Sequence, residues 1–247
     1  MKFGAGSFAG TKSDIKTDIL AEADSEKALI LAGFFKTADG EYGEGDKFLG
    51  ITVPKCRKIA GDFYLKLSLD QITKLLQSEW HEERQIALFM LVLQFNKSST
   101  DRQKEIYDIF LDNTKYINNW DLVDCNAPRI VGQYIFDHPS LQPTLDKLAK
   151  SDLLWDRRIA VISTLYFIVK GDPEPTMRIV EKLLTDQHDL IQKANGWMLR
   201  EVGKRVDEKL LIDFLRSNYD NIPRTTLRYA IEKFSPATRT KYLLGQF

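Results

Sequence analysis

Five stretches of this chain read as one element written repeatedly. The segments "EERQIALFMLVLQF" (82–95), "WDLVDCNAPRIVGQYI" (120–135), "WDRRIAVISTLYFIV" (155–169), "IQKANGWMLREVGKR" (191–205) and "PRTTLRYAIEKF" (223–234) each space apolar residues three and four apart. They recur roughly every 35 to 40 residues. Shorter amphipathic segments, such as "SLQPTLDKLAK" and "EKLLIDFLRSN", lie between them. Almost no stretch alternates apolar and polar residues as a half-buried strand would.

A pair of helices recurring at that period cannot cover its apolar face alone, so neighbouring pairs must stack to complete a core. The fold class expected is therefore all-α: a HEAT-like repeat solenoid, a superhelix of antiparallel helix pairs whose second helices line a concave face. Start signals support the helices. Pro54 opens "PKCRKIAGDFYLKL", Asp172 precedes Pro173, and Ser235 precedes Pro236. Gly171 and Gly203 are expected at helix ends, where a left-handed cap favours glycine. Residues 34–54, "FFKTADGEYGEGDKFLGITVP", break the pattern and form a loop of functional length, anchored by Phe48, Leu49 and Ile51. Its glycines do not make a phosphate cradle, because no G-K-[ST] follows and no strand precedes it. Phe48 and Leu49 point to packing against the first repeat, with Lys47 the doubtful member.

The 247 residues suit a single repeat domain over 14–247, preceded by a flexible tail over 1–13 that is rich in Gly, Ser and Lys. Thirty-five Lys and Arg balance 35 Asp and Glu, so the net charge points to no class of partner and any electrostatic argument must be local. Cys56 and Cys125 fit no zinc or disulfide framework and read as reduced thiols of a cytoplasmic protein. No apolar run is long enough to span a bilayer, so no membrane association is expected.

If the second helices line the concave face, their first turns offer it Gln85, Asp124, Arg158 and Lys193, with Trp120, Trp155 and Trp197 nearby. Each has an ordinary reading: tryptophans fill cores, Arg157 and Arg158 solvate a face or pair with Asp156, and Asp121 caps a helix and complements its dipole. The coincidence of an acid, an arginine and two tryptophans in three successive repeats favours a site. Aromatic faces beside fixed cations hold sugars, bases or cationic ligands. From residue 190 onward, eleven Lys and Arg face six Asp and Glu, which suits contact with phosphate. The candidate DNA contacts are Arg157, Lys193, Arg200, Lys204, Arg205, Arg224 and Arg228.

At "NWDLVD", "LWDRR", "QKANGWMLRE" and "GEYGEGDKFLGITVPKCRKIA" the chain resembles the AlkD-like DNA alkylation repair family of HEAT-like repeat glycosylases, over about residues 25 to 235. The resemblance implies excision of purines alkylated at N3 or N7 from duplex DNA, as base excision repair. Asp124 would be the catalytic carboxylate, Trp120 and Trp197 the aromatic walls about the damaged nucleotide's sugar, and Arg158 a neighbouring backbone contact. It also implies a lesion that is not turned out of the duplex. No metal or cofactor is expected, and such a solenoid can act as a monomer.

The chemistry is coherent with those residues. A cationic purine departs as a neutral base without a general acid, so the remaining demand is to stabilise an oxocarbenium-like sugar. A carboxylate about 4 Å away at an effective dielectric near 20 supplies about 4 kcal/mol. Indole faces add about 0.5 to 2 kcal/mol each, and Asp124 can position the attacking water. His81, His138 and His188 lie scattered, with no metal-ligand spacing and no nucleophile in their segments. Only Lys193 has a register that would suit a Schiff base. The expectation is a monofunctional DNA-alkylpurine glycosylase; the alternative is a non-catalytic HEAT-repeat scaffold that binds nucleic acid or protein. Asp124 separates the two, since a pure phosphate binder gains nothing from a carboxylate there.

Overall fold

The computed structural model describes residues 14–246, so the tail expected over residues 1–13 lies outside them. The described chain is helical throughout, with one isolated parallel bridge between Lys47 and Trp80. In order, the helices are α1 (Ile15–Ala21), α2 (Ser25–Phe34), α3 (Val53–Phe63), α4 (Leu69–Leu76), α5 (His81–Phe95), α6 (Thr100–Asp112), α7 (Trp120–Asp124) and α8 (Gln133–Asp137). They continue as α9 (Pro143–Ala149), α10 (Leu154–Ser163), α11 (Leu165–Val169), α12 (Glu174–Lys182), α13 (Asp189–Arg205), α14 (Glu208–Ser217), α15 (Arg224–Ala230) and α16 (Pro236–Leu244).

The inner row of the solenoid runs α5, α7, α10, α13, α15, each packed on the next, while α4, α6, α9, α12 and α14 cover its outer side. One apolar core runs the whole way, from Ile15 and Ile19 to Leu215, Leu227 and Tyr242. Phe95, Phe110 and Phe167 are among its largest fully buried side chains; burial of each stabilises the fold by about 1.5 to 3 kcal/mol. Among the described residues no helix is long and apolar enough to cross a membrane, and no group of His, Cys, Asp and Glu is arranged to hold a metal ion. Cys56 is buried and Cys125 half-buried, both as free thiols.

The expected starts are in place. Pro54 lies in the first turn of α3, the Asp172 carboxylate accepts from Glu174 N–H, and Ser235 caps α16 by accepting from Thr238 N–H. Two of the inner elements are not continuous helices. Residues 120–135 divide into α7, a π-helical turn at Pro128–Gly132, and α8, because Pro128 has no N–H to give the preceding turn. Residues 155–169 divide at Thr164, whose hydroxyl bonds back to the Val161 carbonyl. Gly171 has a φ of +85° just past α11, as a left-handed cap should. Gly203 does not end its helix but lies inside α13, where a Cβ would come within 2.6 Å of Leu211 Cδ2; it is glycine so that α14 can approach.

Candidate active site

The site is built on the amino-terminal turns of the inner helices. Asn119 caps α7 by accepting from Trp120 N–H, which starts a helix of five residues with Trp120 and Asp124 one turn apart on the same face. Trp120, half-buried, turns toward a cavity of about 700 Å³ whose walls include Arg158 from α10 and Lys193, Trp197 and Arg200 from α13. Gly196 precedes Trp197 because α15 crosses α13 there: a Cβ would meet Tyr229 Cβ at 2.5 Å. Trp120, Arg158 and Trp197, taken from three repeats, thus share one cleft. His188 and Tyr229 also line it.

Asp124 is not among the residues that line the cleft but is held by Arg158, which is. Its carboxylate, 15% exposed, accepts from Arg158 Nε at 2.9 Å and from Arg158 Nη2 at 2.8 Å, a bidentate pair. Arg158 is buried and also donates to the Leu190 carbonyl. The guanidinium expected as a contact to the DNA backbone is therefore spent on the carboxylate and on α13. Burial pushes the Asp124 carboxyl above its ordinary value, an effect that the Arg158 charge opposes and the Asp121 charge reinforces.

Other candidates are placed differently from a free inner face. Gln85 is buried and donates to Asp121 at 2.7 Å. Trp155 is buried, with Tyr42 edge-on to it at 6.2 Å. Arg157 donates to Asp186 at 2.7 Å and to the carbonyls of Ser151 and Asp152, so it braces the loop before α10. Arg205 pairs with Glu201 at 2.6 Å, and Arg224 donates to the Leu243 carbonyl at 2.7 Å. Arg200 lines the cleft while paired with Glu232 and Glu201. Lys193 lines it while paired with Asp189 at 2.6 Å. Lys204 and Arg228 are exposed.

Besides lining residues such as His188 and Tyr229, three contributors were missed by the sequence reading. Lys36 and Tyr42 bring residues 35–50 to the cleft as well as to the core. Lys36 holds a φ of 58°, uncommon for a side-chain-bearing residue, and its carbonyl accepts from Gly43 N–H at 3.0 Å. The packing role expected of this loop is present too. Phe48 and Leu49 are buried, the Glu82 carboxylate accepts the N–H groups of Leu49, Gly50 and Ile51, and Lys47 pairs at the surface with Glu79. The third contributor is His81, which is not isolated: its ring lies between Asp46 and Asp121, 35 and 40 residues away in the chain. Asp121, read as a dipole partner of its own helix, accepts from that ring. A glycine-rich loop with a charged residue in an apolar setting was visible, but its fold-back onto α7 was not.

The family model of DNA alkylation repair enzymes matches residues 15–234. The chain belongs to the DNA alkylation repair enzyme family. Its DNA-repair role follows from that membership, and the helical solenoid is the architecture of similar solved structures. One is a predicted DNA alkylation repair enzyme from Enterococcus faecalis, at 17% identity and a TM-score of 0.69, covering 87% of this chain and 98% of that one. Another is AlkD2 from Streptococcus mutans, at 19% identity and a TM-score of 0.52, covering 86% of this chain and 99% of that one. No curated protein matches the sequence. In this DNA alkylation repair enzyme, the aromatic cleft draws its lining from Phe34 to Tyr229, across nearly the whole matched region.

Proposed function

We propose that this DNA alkylation repair enzyme is a monofunctional glycosylase, acting as a monomer on duplex DNA without metal or cofactor. It hydrolyses the N-glycosidic bond of cationic N3- or N7-alkylated purines. The observation that carries the reading is the convergence of Trp120, Arg158 and Trp197 on one cleft, with the Asp124 carboxylate paired to that arginine.

As the glycosidic bond breaks, its electron pair neutralises the alkylated purine, which leaves without a proton donor. Positive charge builds on the sugar, water adds to the anomeric carbon, and one water proton is released. Asp124 and the two indole faces act on that charge. The Arg158 pair changes the size of the effect. For a sugar bound on the carboxylate's side of the pair, a carboxylate about 4 Å from the cation is worth about 4 kcal/mol at an effective dielectric near 20, and the guanidinium about 4 Å farther off cancels about half. About 2 kcal/mol remains, or roughly a 30-fold gain in rate. Two of the carboxylate's roughly four lone-pair sites are filled by Arg158, which leaves the others for a water or the sugar.

The test is release of 7-methylguanine and 3-methyladenine from methylated duplex by the wild type and Asp124→Asn side by side. Expected is excision by the wild type and a loss of about 30-fold in the variant, with DNA affinity and helicity retained. Wild-type binding without base release would leave only a repair scaffold, and near-normal turnover by the variant would remove Asp124 from the mechanism.

A further inference from the structure

His81 opens α5 with both ring nitrogens engaged: Nδ1 lies 2.8 Å from Asp46 Oδ2, and Nε2 lies 2.9 Å from Asp121 Oδ2. The ring is 2% exposed and stacks on Phe48, with centroids 4.4 Å apart. The two carboxylates belong to the two segments that furnish the amino-terminal wall of the cleft. Asp46 lies within the loop that also carries Lys36 and Tyr42, and Asp121 lies in the first turn of α7 between Trp120 and Asp124. Arg84 ties the same segments a second time, donating to Asp46 Oδ1 at 2.6 Å and to the Asn118 side chain at 3.1 Å.

We propose that His81 is a positioning residue for the cleft: as a doubly donating imidazolium it clamps Asp46 to Asp121 and so fixes the Tyr42 loop against the turn that bears Trp120 and Asp124. This deepens the glycosylase reading and rests on it for the effect on turnover. A neutral imidazole has one N–H, so it can donate to only one of the two carboxylates and must present a lone pair to the other. Loss of the proton therefore breaks one side of the clamp.

The surrounding charges favour the cation. Burial by itself lowers the ring's pKa, but Asp121 and Asp46 outweigh that and raise it to about 9. Burial pushes Asp46 upward in turn, and His81 with Arg84 outweighs it to leave the carboxyl below its ordinary value. Glu82 is committed to the 49–51 backbone, while Lys27 and Cys125 line the adjoining apolar cavity. A group whose folded pKa is raised gives stability that is complete below its unfolded value near 6.5 and is lost as pH rises through about 9.

The experiment measures single-turnover excision from pH 7 to 10 on methylated duplex, with spontaneous loss subtracted, alongside DNA affinity. The wild-type rate constant is expected to fall about tenfold as pH passes about 9. His81→Gln is expected to start at least about tenfold low at pH 7.5 and stay flat, with affinity within about threefold of the wild type. Turnover of His81→Gln near that of the wild type, or matching profiles for the two proteins, overturns the clamp. Should His81→Gln not fold, Asp46→Asn is the second variant, with the same expected loss of turnover and the same overturning result. The imidazole ¹⁵N spectrum of the full-length wild type needs no variant: both ring nitrogens protonated at pH 7.5 supports the proposal, and one unprotonated nitrogen overturns it. A wild type that releases no base removes the glycosylase reading alone, because that spectrum still tests the clamp.

Discussion

On the α7 side of the cleft, ionisable groups are enclosed or nearly so and doubly held: Asp124, 15% exposed, by two N–H groups of Arg158, and buried His81 between two carboxylates. On the α13 side they form a helical stripe, Lys193, Trp197, Arg200 and Lys204, whose cations are paired near the surface or exposed. Spacings of three and four place all four residues on one face of a single helix. On the function proposed above, the contrast separates two tasks. Groups meant to act on a charge developing at one atom must already be in place, whereas a backbone of repeated phosphates is gripped by cations that adjust to it.

The largest expected effect comes from breaking the rigid side. Arg158→Met keeps much of the volume but leaves Asp124 buried without its cation, and urea unfolding at pH 7.5 should show a loss of about 3 kcal/mol. The penalty should shrink as pH is lowered. Burial already raises the Asp124 pKa, and removal of Arg158 takes away the opposing charge, so the folded variant gains from taking up a proton. A loss below about 0.5 kcal/mol, or one independent of pH, would mean that the two sides of the cleft do not differ in this way.

Next in size is a loss of turnover with acid. On the proposed mechanism ionised Asp124 is the reactive form, and its raised pKa means that the proton returns earlier than for an exposed aspartate. Single-turnover excision should therefore begin to fall at a higher pH than the ordinary value of an exposed aspartate would set. A profile flat down to pH 4 would assign the charge stabilisation to another group.

Packing behind the adaptable side ranks third. Gly203→Ala places a Cβ against Leu211, and because the nearest atom is the end of a flexible side chain the strain should be partly relieved, leaving a loss of about 1 kcal/mol by urea unfolding. An unchanged midpoint would show that α14 has slack against α13.

The same contrast explains what could be read from the sequence. The adaptable side lies on one continuous helix: register offers Lys193 and Trp197 to the inner face and the basic excess after residue 190 picks out Arg200 and Lys204, while the stripe that the four share emerges only in the structure. The repeat likewise put Trp120, Asp124 and Arg158 in register, because homologous turns of stacked helices face the same way. The pairing of Asp124 with Arg158 was not visible, since register gives the face and not which of two charged neighbours meet. His81 was read as isolated because its partners arrive from a loop and from the next inner helix, through tertiary contacts that no local spacing records. Gly203 was taken for a helix end because the same residue type serves caps and close helix approaches. Pro128 carried the break in the second inner element, yet the apolar pattern on both sides of it reads as continuous.

The smallest effect on stability tests the adaptable side directly. Lys193→Gln with Lys204→Gln removes two cations, one paired with Asp189 at 2.6 Å and 39% exposed, the other exposed, so unfolding should change by no more than about 0.5 kcal/mol. DNA affinity should nevertheless respond. If both ammonium groups neutralise phosphates, two fewer counterions are released on binding, and the slope of log affinity against log salt should become shallower by about 1.8. The comparison sharpens when the same titration is run on Arg158→Met: a guanidinium committed to Asp124 makes no phosphate contact, so its slope should match the wild type even though the protein is less stable. Equal slope changes in the two variants would show that Arg158 exchanges Asp124 for a phosphate when DNA binds, and the rigid side would then be rigid only in the free protein.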